Sequence, residues 1–102
     1  MEVIKPGYEY RLTNFADKTG SQSIKFIRKV DGSVEDGTFN EEVIGMMLHR
    51  MYHLQKIAHS KENSVIIALL TQIRDLLKRR LERKLDLVDK KKKKHEKIED
   101  KP

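Results

Sequence analysis

Cysteine and tryptophan are absent from this 102-residue chain, and its only prolines are Pro6 and Pro102. Without cysteine there are no disulfides and no thiolate metal or redox chemistry, so a reducing compartment is the natural setting. No run approaches the roughly 18 consecutive apolar residues of a membrane span. The N-terminus also lacks the charged, then apolar, then small-residue order of a signal peptide. A soluble, cytosolic protein with no membrane partner is expected. Aromatics are scarce, three Phe and three Tyr, which leaves little for a compact β-domain core.

What the chain has in quantity is charge. Charged and apolar residues each make up 37%, a balance that suits helices with highly charged outer faces. The net charge of +6 is unevenly placed: residues 1–60 hold eight Lys/Arg and eight Asp/Glu, residues 61–102 fourteen and eight. All the excess cation lies in the second part, so an anionic partner is implied, with nucleic acid, nucleotide and acidic protein all open. One small domain of this size gains much from a partner subunit.

The stretch from Lys61 to Asp89 contains neither proline nor glycine, and Ile66, Leu70, Ile73 and Leu77 recur along it in steps of four and three. That is the period of one helix face. A single helix of ~40 Å follows, too long for so short a chain to cover. Upstream, Thr38 followed by Glu41 satisfies a capping box. Ile44, Met47, Met51, Leu54 and Ala58 then step by three and four, which predicts a first helix. His59-Ser60-Lys61-Glu62 is a tight connector with Ser60 as cap of the second helix, so the two helices are expected to lie antiparallel. In that hairpin position 40 faces about position 81, and the second helix outruns the first. With Ile73 as stripe centre, Arg80 and Lys84 fall within about 20° of it at ~100° per residue, which predicts that both cations point inward.

The N-terminal third alternates. Tyr8 to Phe15 reads as a half-buried strand and Ser23 to Val30 as a second, joined through Asp17-Lys18-Thr19-Gly20 into a hairpin. Ser33-Val34-Glu35 is a connector or short edge piece. The expected fold class is thus α+β: a small N-terminal antiparallel β unit over residues 1–37, a long antiparallel helical hairpin over 38–89, and a Lys-rich tail over 90–102 that frays, the whole being oligomeric.

Catalytic signals are missing. No Ser/His/Asp set, phosphate-binding glycine loop or paired carboxylate stands out, and Ser and Thr in turns are more often caps than nucleophiles. His49 and His53 are four apart on the first helix but lack the glutamate of the metalloprotease pattern and any third ligand, so solvated histidines are the better reading. A binder with no enzymatic activity, metal or cofactor is expected. Lys78, Arg79 and Arg83 read as solvated cations complementing the helix C-terminus, paired with Asp75, Glu82 and Asp86.

The ordered series Asp36-Gly37-Thr38-Phe39-Asn40-Glu41-Glu42-Val43-Ile44, Leu48-His49-Arg50-Met51, Lys61-Glu62-Asn63-Ser64 and Leu77-Lys78-Arg79-Arg80 resembles the helical hairpin of two phage families. These are the Thoeris anti-defence sponges and the anti-CBASS cyclic-nucleotide sponges. The strands Tyr10-Arg11-Leu12-Thr13-Asn14-Phe15 and Gln22-Ser23-Ile24-Lys25-Phe26-Ile27 resemble those of the Thoeris anti-defence type. The match spans about residues 8–86.

The resemblance implies sequestration in the cytoplasm of an infected bacterial host. A cyclic ADP-ribose isomer, and in relatives a cyclic oligonucleotide at a separate site, is bound without cleavage. Assembly is as a homodimer, or as a hexamer built as a trimer of dimers, with pockets at subunit and β/helix junctions. By the same resemblance the ligand contacts fall on His53, Asn63, Arg80 and Lys84: His53 where relatives stack an aromatic on a base, Asn63 as an amide reading polar edges, Arg80 and Lys84 where relatives carry two arginines. Arg80 offers phosphate a planar fork and Lys84 a compact point charge. Asn63 and Arg80 are ~25 Å apart along one helix, so one small ligand must take them from two subunits. The competing reading is a basic nucleic-acid-binding hairpin that uses the second helix and the lysine tail; a purely structural oligomerisation hairpin is a third.

Overall fold

A computed structural model describes residues 1–99; of residue 88 and of residues 90–99 it describes the helical backbone. The elements run β1 (Glu2–Lys5), β2 (Glu9–Thr13), β3 (Ser21–Lys25), β4 (Arg28–Val30), β5 (Ser33–Glu35), α1 (Asn40–Ile57) and α2 (Lys61–Glu99). The fold is α+β, a small antiparallel β region followed by two helices. Chain contacts divide it into two compact units, Met1–Val43 and a second from Ile44 onward.

In the first unit β1, β2 and β3 form an antiparallel sheet in that order. The β2/β3 hairpin expected from alternation is present, with Tyr10 opposite Ile24 and Arg11 opposite Ser23. Strand β1 was not foreseen. It returns through Lys5-Pro6-Gly7-Tyr8, where Gly7 takes φ 85° and Tyr8 N donates to Lys5 O at 2.9 Å, the turn that a Pro-Gly pair favours. Side chains alternate across the sheet. Glu2, Arg11, Thr13, Ser21 and Ser23 therefore share one face, and Val3, Tyr10, Leu12 and Ile24 the other. The Tyr10 and Phe26 rings meet edge to face at 6.2 Å.

The run Ser23 to Val30 is not one strand. At Phe26 the chain leaves β2 and bridges Thr38 in parallel, with Ile27 N donating to Thr38 O and Thr38 N to Lys25 O at 2.9 and 2.8 Å. Gly37 makes this approach possible, since a Cβ there would lie 2.6 Å from Lys25 O. β4 then turns through Asp31 and Gly32, both at positive φ, and pairs with β5, so Ser33–Glu35 is a hairpin strand. α1 starts one residue later than the capping box places it, with Phe39 and not Thr38 at the cap position. The first helical bonds, from Glu42 N and Val43 N, go to Phe39 O.

In the second unit Leu48 and Met51 of α1 are the buried apolar residues among the described residues. Ser60 caps α2 as expected: Asn63 N donates to Ser60 Oγ at 3.0 Å. Gln55 locks the turn. Its amide oxygen accepts from Ser60 N at 3.1 Å, and its amide nitrogen donates to Ser60 O at 3.3 Å and Ser64 Oγ at 2.8 Å. α2 continues ten residues beyond Asp89, through the backbone of the Lys-rich stretch to Glu99; of the tail expected to fray, residues 100–102 lie outside the described residues. Among the described residues no helix is long and apolar enough to cross a membrane.

Candidate functional site

The apolar residues of α2 fall into two stripes. Taking Ile73 as zero and ~100° per residue, Asn63, Ile67, Leu70 and Leu77 stand at roughly 40° to 120°, and all four are half-buried. Ile66, Leu69, Ile73 and Leu76 stand at roughly −60° to 20° and are 39%, 52%, 43% and 61% exposed. The chain covers the first stripe and leaves the second open. Cover ends at Leu77, for every residue from Lys78 to Leu87 is exposed.

Arg80 and Lys84 lie at roughly −20° and 20°, so they continue the open stripe. This corrects the inward placement expected of them. Ile73 looked like the centre of a single buried face, but it belongs to the face that the chain itself does not cover. The two cations are one helical turn apart, on a surface whose next residues toward the helix start are Leu76 and Ile73.

The other two expected contacts sit at the opposite end of α2. Asn63 is half-buried and built into the turn, its Nδ2 donating to Ala58 O at 3.5 Å; its amide oxygen has no protein partner among the described residues. His53 is exposed on α1, as is His49. Within one chain the structure therefore pairs Arg80 with Lys84 and keeps Asn63 ~25 Å from Arg80 along the helix axis.

The first unit also holds a polar cleft that no pattern in the sequence marks. It has a volume of about 250 Å³ and is lined by Glu2, Arg11, Thr13, Lys18, Thr19 and Ser21 among others. In the same loop Phe15 is 95% exposed, with Lys18 Nζ 5.7 Å from its ring centroid. Asp17 fixes this loop by accepting from Thr19 Oγ1 at 2.6 Å and Thr19 N at 3.0 Å. Those two bonds, the hydroxyl's first, hold its carboxyl below the usual carboxylate range. A loop reads in sequence as a break between periodic segments, so nothing in the pattern marked Phe15 as displayed.

No family model, curated protein or solved structure matches this chain.

Proposed function

We propose that this chain is a phage anti-defence sponge: a non-enzymatic binder that sequesters a cyclic ADP-ribose-type immune messenger, or a related cyclic oligonucleotide, between copies of itself in the host cytoplasm. The observation that carries the reading is the position of Arg80 and Lys84 in line with the uncovered stripe Ile66, Leu69, Ile73 and Leu76. Whatever covers that stripe also encloses two cations, and a nucleotide phosphate supplies the charge to match them. The resemblance of the motif series to the sponge families supports the same ligand class.

A second copy is the cover that fits. The stripe is spaced three, four, three, the spacing of core positions in paired helices. Laid antiparallel so that Leu69 packs on the second copy's Ile73, it also sets Ile66 against the second copy's Leu76. Residues whose numbers sum to 142 then face one another, and Arg80 meets the second copy's Glu62, next to its Asn63. That register joins ends that are ~25 Å apart in one chain: Arg80 comes beside the second copy's Asn63, and Glu62 is the counter-charge that a phosphate displaces. A homodimer, or three such dimers as a hexamer, completes the site.

Native mass spectrometry with a panel of cyclic nucleotides tests the reading. The expected result is an even-numbered assembly carrying intact ligand, released unchanged on heating. A cleaved product, or no ligand from the panel, overturns it. Arg80→Ala is expected to weaken binding by about 1.5–3 kcal/mol through loss of a charge-assisted hydrogen bond, read by calorimetry. Binding of single strands or duplex with a steep salt slope, abolished by removing residues 90–102, would support the nucleic-acid-binding alternative.

A further inference from the structure

The loop between β2 and β3 combines order with exposure in a way that its own stability does not require. Thr19 closes on Asp17 through its N–H and hydroxyl, Gly20 N donates to Asp17 O at 3.2 Å, and Gln22 Nε2 donates to Asn14 Oδ1 at 3.2 Å. A loop tied at three points holds Phe15 almost wholly in water, at 95% exposure. A ring meant to plug into a protein pocket is framed by other apolar side chains, as interface cores are. Phe15 is met instead by the Lys18 ammonium, and Lys18 also lines the polar cleft.

Cation, hydroxyls and a bare aromatic face are the parts of a nucleotide site. Arg11, Thr13 and Ser21 reach the cleft from one face of the sheet, because Thr13 pairs with Ser21 and Arg11 with Ser23. Arg11 is tied only loosely: its ion pair with Glu2 spans 3.3 Å between side chains 47% and 62% exposed, a pair of little worth in water. A phosphate brings more charge and better acceptor geometry to the same guanidinium. At about 250 Å³ the cleft is smaller than the roughly 300–1,000 Å³ of pockets that swallow a whole ligand. It has room for a phosphate with part of a sugar, which leaves the base outside, on Phe15.

We propose that the β2–β3 loop is a mononucleotide-binding element: the base stacks on the exposed ring of Phe15, while Arg11, Lys18 and the hydroxyls of Thr13 and Ser21 hold the 5′-phosphate. The element is independent of the α2 reading, since all its residues belong to the first unit. No bond is made or broken.

The test is a titration of the ¹⁵N-labelled full chain with adenosine 5′-monophosphate, adenosine and inorganic phosphate, followed by amide shifts. Saturable shifts confined to residues 11–21, with the monophosphate tighter than either fragment, are expected. Phe15→Ala should weaken the monophosphate about tenfold, as loss of one stacked base does, and leave inorganic phosphate unchanged. Arg11→Gln should weaken both phosphates and spare adenosine. Shifts that map to α2 instead, the same affinity for inorganic phosphate as for the nucleotide, or Phe15→Ala without effect would each overturn the proposal. Both substituted side chains lie at the surface, and the unperturbed amide spectrum of each variant checks its fold.

Discussion

The two sides of α2 are built from the same kinds of residue and meet different fates. One side, with Ile67, Leu70 and Leu77, is half-buried; the other, with Ile66, Leu69, Ile73 and Leu76, is open to water. The difference is one of cover and not of composition, since aliphatic side chains line both. Apolar surface left open at helical spacing gains from burial at about 25 cal/mol per Å², and a 102-residue chain has little more of its own to offer. The closed side therefore reports on the single chain, and the open side is the surface that the proposed second copy would cover.

The largest effect is expected at the closed side. Leu48 is 3% exposed, one of two buried apolar side chains among the described residues, so Leu48→Ala is expected to cost about 2–5 kcal/mol. Denaturant melts should show the same loss at every protein concentration. A loss that shrinks as concentration rises would mean that Leu48 too serves the assembly.

Ile73→Asp attacks the open side. In the isolated chain Ile73 is 43% exposed, and a charge there costs little. In a two-copy seam it removes about 1 kcal/mol per copy from burial of the part of the side chain still exposed and places a carboxylate in apolar surroundings. Sedimentation should then show a monomer, and the melting temperature should lose its dependence on concentration. An unchanged assembly would locate the seam elsewhere.

How much of this was legible depended on the range of the signal. The two long helices announce themselves by period, and Ser60 by its place before one of them, because caps and helix faces are local. The direction of Arg80 and Lys84 is not local. Periodicity shows that Ile73 lies on an apolar face, but which of two adjoining stripes the chain covers is settled by the rest of the fold. Thr38 misled for a related reason: α1 starts one residue later than its cap signal places it, and its backbone bonds to Lys25 and Ile27. Strand β1 is four residues long, too short for alternation to stand out, although the Pro6-Gly7 turn beside it was in plain view.

Gln55 acts at a smaller scale, for it fixes where α2 begins, and so the register of both stripes relative to α1. Its amide closes on Ser60 N, Ser60 O and Ser64 Oγ, partners that no pattern in the chain links to position 55. Gln55→Ala is expected to cost about 1–2 kcal/mol, the net worth of a partly solvent-exposed set of hydrogen bonds, with Gln55→Glu recovering only the contact to Ser60 N. The measurement is again the denaturant midpoint. A loss of ligand binding without a loss of stability would instead tie this turn directly to the Asn63 end of the site.

The smallest effect belongs to the first unit, where Asp17 closes a loop that leaves Phe15 open. The hydroxyl and N–H of Thr19 favour the ionised carboxylate and lower its pKa from the ordinary 3.8. A carboxyl depressed in the folded state adds stability that is present above its unfolded pKa and is lost as pH falls through the folded value. Wild type should therefore lose this contribution only below about pH 4, and Asp17→Asn should flatten that limb of the stability profile while leaving the neutral plateau nearly level. Because the carboxylate is exposed, solvent screens it and the change is small. Its value is diagnostic: if the variant also frees the loop, the ring of Phe15 will sample many directions, and nucleotide-dependent amide shifts in residues 11–21 should weaken at neutral pH, where Asp17 is remote from its own titration. Pre-organisation of that ring is what separates a displayed aromatic from one that is simply uncovered.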